Sequence, residues 1–275
     1  MFVSTPQLMG MRFLAMFFLV LPFVPGVIKK LSQPRVLSKE AKAGMLWLPF
    51  LGTLLPVFLI TFAQTSVGSG STGLVHAVGP LCALLVGVMF YNEKAHGARV
   101  IGLMLGFVGV ALLVLGAKSA KIEGEPWAFG LLVFSMFCYG FSTHAIKKRI
   151  IGLPIMAFPA ATFTVLAIPS ILMFFASGGY QVMAGLAGTP AFITVLAIVI
   201  GQAIVALISH VCYTQVIIRR GAVFATSVNY LVPIVALLWG LIDGETLSAL
   251  HLLSFALVGV GLYLVNLAKP AKTKL

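Results

Sequence analysis

The chain has 275 residues, of which 60% are hydrophobic and 9% charged, against about 25% charged residues in soluble domains. A soluble fold of this size has too little interior to hide so much apolar surface, so the surface itself must face lipid. The formal charge of +12 suggests nucleic acid, but the basic residues form no continuous face or aromatic-interleaved patch, and no such partner is expected.

Taken in chain order, Leu8–Ile28, Gly70–Tyr91, Leu153–Ala176 and Ala222–Ile242 each exceed the roughly 18 apolar residues of a spanning helix. In all, nine spans are read, near 8–28, 45–62, 70–91, 100–116, 127–145, 153–176, 191–218, 222–242 and 247–267. The fold class is therefore all-α, a polytopic membrane helix bundle. The first span lacks a small-residue cleavage pattern and carries Pro22 and Pro25 near its end, so it is expected to be retained. The seventh is long enough to be tilted or broken. Cys82, Cys138 and Cys212 fall inside apolar runs at no paired spacing, which points to helix packing rather than a disulfide or a zinc site. No metal or cofactor is expected.

The loops set the orientation. Alternate loops and the tail after the last span hold every Lys and Arg except Arg12, Lys118 and Lys121. By the positive-inside rule that side is cytoplasmic, and the C-terminus with it. Nine spans then leave the N-terminus outside a cell (inner) membrane.

An internal repeat runs through the same spans. Gly68–Val88 is followed by Glu93, and Gly221–Leu241 is followed by Glu245. One fixed offset pairs Gly68 with Gly221, His76 with Asn229, Pro80 with Pro233, Ala83 with Ala236 and Gly87 with Gly240. Glu93 with Glu245, and Gly109 with Gly261, follow with a slip of one. The loop charges orient the two copies oppositely, so the plan is two inverted-topology repeats, as in many secondary transporters. Residues 1–117 form the first repeat, 118–126 a linker, 127–268 the second repeat and 269–275 a basic cytoplasmic tail. Four spans precede the linker and five follow it, so a helix is expected to be missing from the front.

The doubled pattern P-x-x-A-x-x-x-G with a Glu just beyond resembles the drug/metabolite transporter superfamily, EamA branch. It stands as Pro80, Ala83, Gly87 and Glu93, then as Pro233, Ala236, Gly240 and Glu245. Thr5-Pro6 followed by Met11-Arg12-Phe13 is similar to that family's entry into its second helix. Cys138-Tyr139-Gly140 before Lys147 resembles its sixth, with Tyr139 where Trp is usual. The resemblance implies ten helices, two inverted five-helix halves, a central cavity and alternating access. The first helix, which helps line that cavity in the family, is expected to be the one missing from the front.

Proline inside a helix removes the hydrogen bond to the carbonyl four residues back. For Pro80 that carbonyl is His76, and for Pro233 it is Asn229. A freed carbonyl at membrane depth persists only where protein or a wet cavity satisfies it. His76 and Asn229 are therefore candidates for the substrate path, although bridging between helices would use the same atoms. Pro80, Pro233, Gly87 and Gly240 mark the hinge motif. Ser135, Tyr139 and Ser142 share a face of the fifth span, and Gln202, Ser209 and Tyr213 share one of the seventh, beside His210. Of these, Ser135, Tyr139, Gln202 and Tyr213 join the binding candidates, with Gln202 read as the deepest. His96, His144 and His251 lie near helix ends, where a solvated place is expected. Glu93 and Glu245 are expected to bond helix-terminal amides or a neighbouring Arg or Lys. All six acidic residues fall in loops or at span ends, which leaves His76 and His210 as the proton relays open to a coupled carrier.

The function expected is secondary transport of a small neutral or zwitterionic metabolite, amino-acid-like, by alternating access with export favoured. An exporter of aromatic or drug-like compounds is the runner-up, and a channel or non-transporting scaffold is the different class. Cations are missing from mid-membrane, which disfavours strongly anionic substrates. An enzyme is not expected: Gly68-Ser69-Gly70-Ser71 lacks both the nucleophile-elbow spacing and the Lys of a phosphate loop, and nothing orients Ser69 toward His210. The partners are the solute and the bilayer, with a homodimer left open.

Overall fold

A computed structural model describes residues 5–31, 38–67, 69–116, 125–150, 152–232, 234–235 and 249–267. The regular elements among these residues are all helices, joined by turns and loops, with no β-strand among them. In chain order they form α1 (Thr5–Val20), a 3-10 turn (Leu21–Phe23), α2 (Val24–Leu31), α3 (Lys39–Pro49), a π turn (Phe50–Leu54) and α4 (Leu55–Ala63). Then come α5 (Ser69–His76), α6 (Gly79–Tyr91), α7 (Gly97–Gly116), α8 (Pro126–Ile150), α9 (Ala157–Ala176) and α10 (Gly179–Leu186). The chain closes with α11 (Pro190–Arg220), α12 (Ala222–Thr226), a 3-10 turn (Ser227–Leu231) and α13 (Ala249–Leu267).

Among the described residues, seven helical stretches are long and apolar enough to cross a membrane: 7–29, 39–63, 72–91, 126–150, 157–176, 190–220 and 249–267. The expected span near 100–116 falls on α7, and that near 222–242 opens with the apolar stretch 222–231, its residues 233 and 236–242 lying outside the described ones. The expected seventh span is one unbroken helix of 31 residues, about 46 Å at 1.5 Å per residue, longer than the hydrocarbon core of about 30 Å. The π turn falls between Pro49 and Pro56. Pro56 lacks the amide that would bond the Gly52 carbonyl, and widening the turn relieves its ring.

The chain divides into two compact units, each drawn from both sides of residues 118–126. The first comprises residues 1–50 and 148–215. There α1 packs on α9 so closely that a Cβ on Gly10 would stand 3.1 Å from the Phe174 backbone. Gln7 Nε2 donates to the Ser177 carbonyl at 2.8 Å across the same contact. Ser38 caps α3 by accepting from the Ala41 amide at 3.1 Å. Arg149 lies over the Trp47 ring, 5.4 Å from its centre, and donates to the Glu40 carbonyl at 3.2 Å.

The second unit comprises residues 51–147 and 216–275. Its tightest contact joins α7 and α13 through small residues, as membrane helices lacking a hydrophobic drive must do. A Cβ on Gly102 would stand 2.6 Å from the Gly261 carbonyl oxygen, and one on Gly109 would stand 2.8 Å from Val258. Gly106 makes room for the Tyr230 ring, which is fully buried and donates its hydroxyl to the Leu103 carbonyl at 2.9 Å. Tyr230 thereby ties the 3-10 turn to this helix pair.

Candidate functional site

Both proline-centred segments lose α geometry just ahead of the proline. α5 ends at His76 and α6 restarts at Gly79, with Ala77 and Val78 in a turn between them. The Ala77 amide reaches the Gly73 and Leu74 carbonyls at 3.2 Å, and the Val78 amide reaches Val75 at 2.9 Å. In the second copy α12 passes at Ser227 into the 3-10 turn that runs to Leu231. Pro233, Ala236, Gly240 and Glu245 lie outside the described residues.

Gly79 sits where three segments meet. A Cβ there would stand 3.0 Å from Asn229 Nδ2 and 3.3 Å from Met136 Sδ. The bare glycine therefore lets the Asn229 amide lie against the break in the first copy. His76, at the end of α5, is half-buried, and its Nε2 is buried with no hydrogen-bond partner. Ser135 and Tyr139 belong to the same unit, on α8. Ser135 is fully buried and donates to the Leu132 carbonyl at 2.6 Å. Tyr139 is half-buried against the cluster around Cys82 and Met136.

Gln202 and Tyr213 belong to the other unit, on α11. Gln202, read from the sequence as deep, lies near the middle of α11 and is exposed there, as are Ile193, Val205 and Ile208 on the same helix. In that unit His210 lies between Phe158 and Phe163, with ring centres 5.6 and 5.3 Å away, and its Nε2 has no hydrogen-bond partner.

Another cluster was not legible as a site. His144 and His251, expected to be solvated, are buried, whereas His96 is exposed. α8 crosses α6 at Gly140, whose Cβ would stand 3.0 Å from the Ala83 backbone. One turn on, the His144 ring fills the space beside Gly87, where a Cβ would come within 2.8 Å of it. His144 Nε2 lies 2.8 Å from the Ala83 carbonyl oxygen, and its Nδ1 lies 3.6 Å from Glu93 Oε1. Asn92, at φ 53°, ends α6 in the left-handed conformation, and the Glu93 amide returns to the Gly87 carbonyl at 2.9 Å. Glu93 is so aimed at His144 and, through Oε2, at Arg99 Nη1, 3.5 Å away. The expected Glu93 to Arg pairing is met. Three of the four repeated motif residues, Ala83, Gly87 and Glu93, thus converge on a histidine outside the motif. A recess beside Glu93 is lined by Arg99, Lys147, Arg220 and residues 221–224.

Comparison with known proteins follows from this arrangement. Residues 2–115 match the EamA-like transporter family. That part of the chain is EamA-like. The inner membrane transporter YedA of Escherichia coli K12, itself described as uncharacterized, is 29% identical over 98% of this chain and 85% of its own length. A protein of Streptantibioticus cattleyicolor described as a probable terminal-alkyne amino-acid exporter is 23% identical over 76% of this chain and 67% of its own. A crystal structure of another protein matches at a TM-score of 0.68 and 17% identity, over 96% of this chain and 89% of the other. It shares the fold. The resemblance read from the doubled motif is met over residues 2–115, the relatives are described as membrane transporters or exporters, and the apolar helices fit a multi-pass membrane protein.

Proposed function

We propose that the chain is a secondary transporter that moves a small neutral or zwitterionic, amino-acid-like metabolite by alternating access, outward from the cell. The observation that carries this reading is the break at Ala77-Val78, flanked by an unpartnered His76 Nε2 and by the Asn229 amide against Gly79. Carbonyls at an interrupted membrane helix and a side-chain amide suit an ammonium and a carboxylate or amide together. The described cations favour a solute without net negative charge. Arg99 opens α7, Lys147 and Arg149 close α8, and Arg219 and Arg220 close α11, whereas Arg12 lies within α1 and is exposed. The amino-acid substrate in the name of the Streptantibioticus relative points the same way. In this reading the chain has nine spans in two inverted repeats, with its C-terminus in the cytoplasm.

Ligand-induced stabilisation tests the solute class. A solute that binds only the folded protein stabilises it by about 2.7 kcal/mol at a hundredfold excess over Kd. Neutral amino acids should raise the melting midpoint of the purified protein, phosphorylated solutes should not, and His76→Ala or Asn229→Ala should remove the shift. Stabilisation by phosphorylated solutes alone would overturn the substrate class.

A further inference from the structure

We infer that His144 and Glu93 form a proton-binding site where α6 and α8 meet. The Ala83 carbonyl can only accept, so His144 Nε2, at 2.8 Å, carries a hydrogen. The other ring nitrogen, Nδ1, faces Glu93 Oε1 at 3.6 Å. With the ring neutral and the carboxyl ionised, Nδ1 would present a lone pair to a negative oxygen. The two groups become an ion pair when Nδ1 takes up a proton and the ring is an imidazolium. That proton is held at this pair and leaves when the contact breaks.

The surroundings hold the pair in place. Gly87 leaves the space that the ring occupies, and the Tyr91 ring stacks on it with centres 5.0 Å apart. His144 is only 3% exposed, so its ring cannot turn to water without moving α8 from α6, while Glu93 borders the recess. The charged groups facing the pair are Arg99 from α7, 3.5 Å from Glu93 Oε2, then Lys147 from α8 and Arg220 from α11 across the recess. None of these can accept the proton. Protonation therefore closes this end of α6 on α8, and proton release opens it. The consequence for flux rests on the transporter reading: solute movement is coupled to protons through this pair rather than through His76 or His210. The proton site itself does not rest on that reading.

The test uses the full chain in lipid nanodiscs, with nitrogen-15 NMR of labelled histidine and infrared detection of a protonated carboxyl. A variant keeping only His144 of the 5 histidines assigns the ring signals. Should it fail to fold, H144Q assigns them by loss. Glu93→Gln assigns the carboxyl band. We expect a second proton on His144 at the acid end of about pH 5–8, leaving within that range. We further expect Glu93→Gln to move the His144 midpoint by about one pH unit or more. A neutral His144 facing an ionised Glu93 across the whole range would overturn the proposal, as would a midpoint that Glu93→Gln leaves in place. Solute counterflow without such a proton would refute this site and spare the transporter reading. The proton without counterflow would do the reverse.

Discussion

Gly87→Ala probes the packing on which the His144 cradle depends. The new Cβ would stand 2.8 Å from His144 Cε1, 2.9 Å from Nε2 and 3.3 Å from Glu93 Oε2. Carbon contacts settle near 3.5–4.0 Å, so the ring must withdraw by about 0.7 Å. That shift carries the 2.8 Å bond to the Ala83 carbonyl past the roughly 3.2 Å limit of a good hydrogen bond. Overpacking costs about 1–3 kcal/mol and the lost bond about 1 kcal/mol. Alanine returns about 1 kcal/mol over glycine in a helix interior. The net is a loss of about 1–3 kcal/mol, or a midpoint lower by about 2–12 °C at some 2–4 °C per kcal/mol. Gly130→Ala on α8, where nothing lies within 4 Å of the new Cβ, is the matched control and should melt at or above the parent. Thermal melting of both variants in the same lipid decides it. If Gly87→Ala is as stable as Gly130→Ala, the account of the motif glycine is wrong.

Other substitutions test other contacts. Gly102→Leu drives a side chain into the Gly261 carbonyl, 2.6 Å from the first added carbon, and should lower stability by about 3 kcal/mol; Gly259→Ala, with open space around it, should be close to neutral in the same melt. Tyr230→Phe removes the hydroxyl donated to Leu103 and should cost about 0.5–1.5 kcal/mol, read as a lower melting midpoint with unchanged solute selectivity. Gly79→Ala places a methyl 3.0 Å from Asn229 Nδ2. It should leave the fold intact while weakening solute affinity about tenfold, the worth of one hydrogen bond of about 1.4 kcal/mol, measured by solute titration.

What the sequence made legible was local. The break before Pro80 follows from the missing proline amide, and the chain unwinds at Ala77-Val78 as that chemistry requires. The long apolar runs became helices because lipid leaves the backbone no other partner than itself. The fate of single polar residues depended on neighbours far away in sequence. His144 looked solvated from its place near the end of α8, but Ala83, Gly87 and Glu93 on another segment bury it. A trace of this was present: Gly140 and His144 lie four residues apart on α8, as Ala83 and Gly87 do on α6, so two stripes could face each other. Gln202 stands near the middle of α11, as its depth in the apolar run implied, but hydropathy did not say which side of that helix is covered. Asn229 against Gly79 was foreshadowed only as an alignment of two repeat copies, not as a contact.

The central claim is that this chain carries a solute past the break at His76 and Asn229. The most direct test is counterflow of radiolabelled amino acids into proteoliposomes containing the purified protein, beside Asn229→Ala and His76→Ala. The account predicts saturable, stereoselective exchange that both substitutions reduce by about tenfold or more while the protein remains folded. Exchange that does not saturate, or that both variants sustain at the parent's rate, would contradict it.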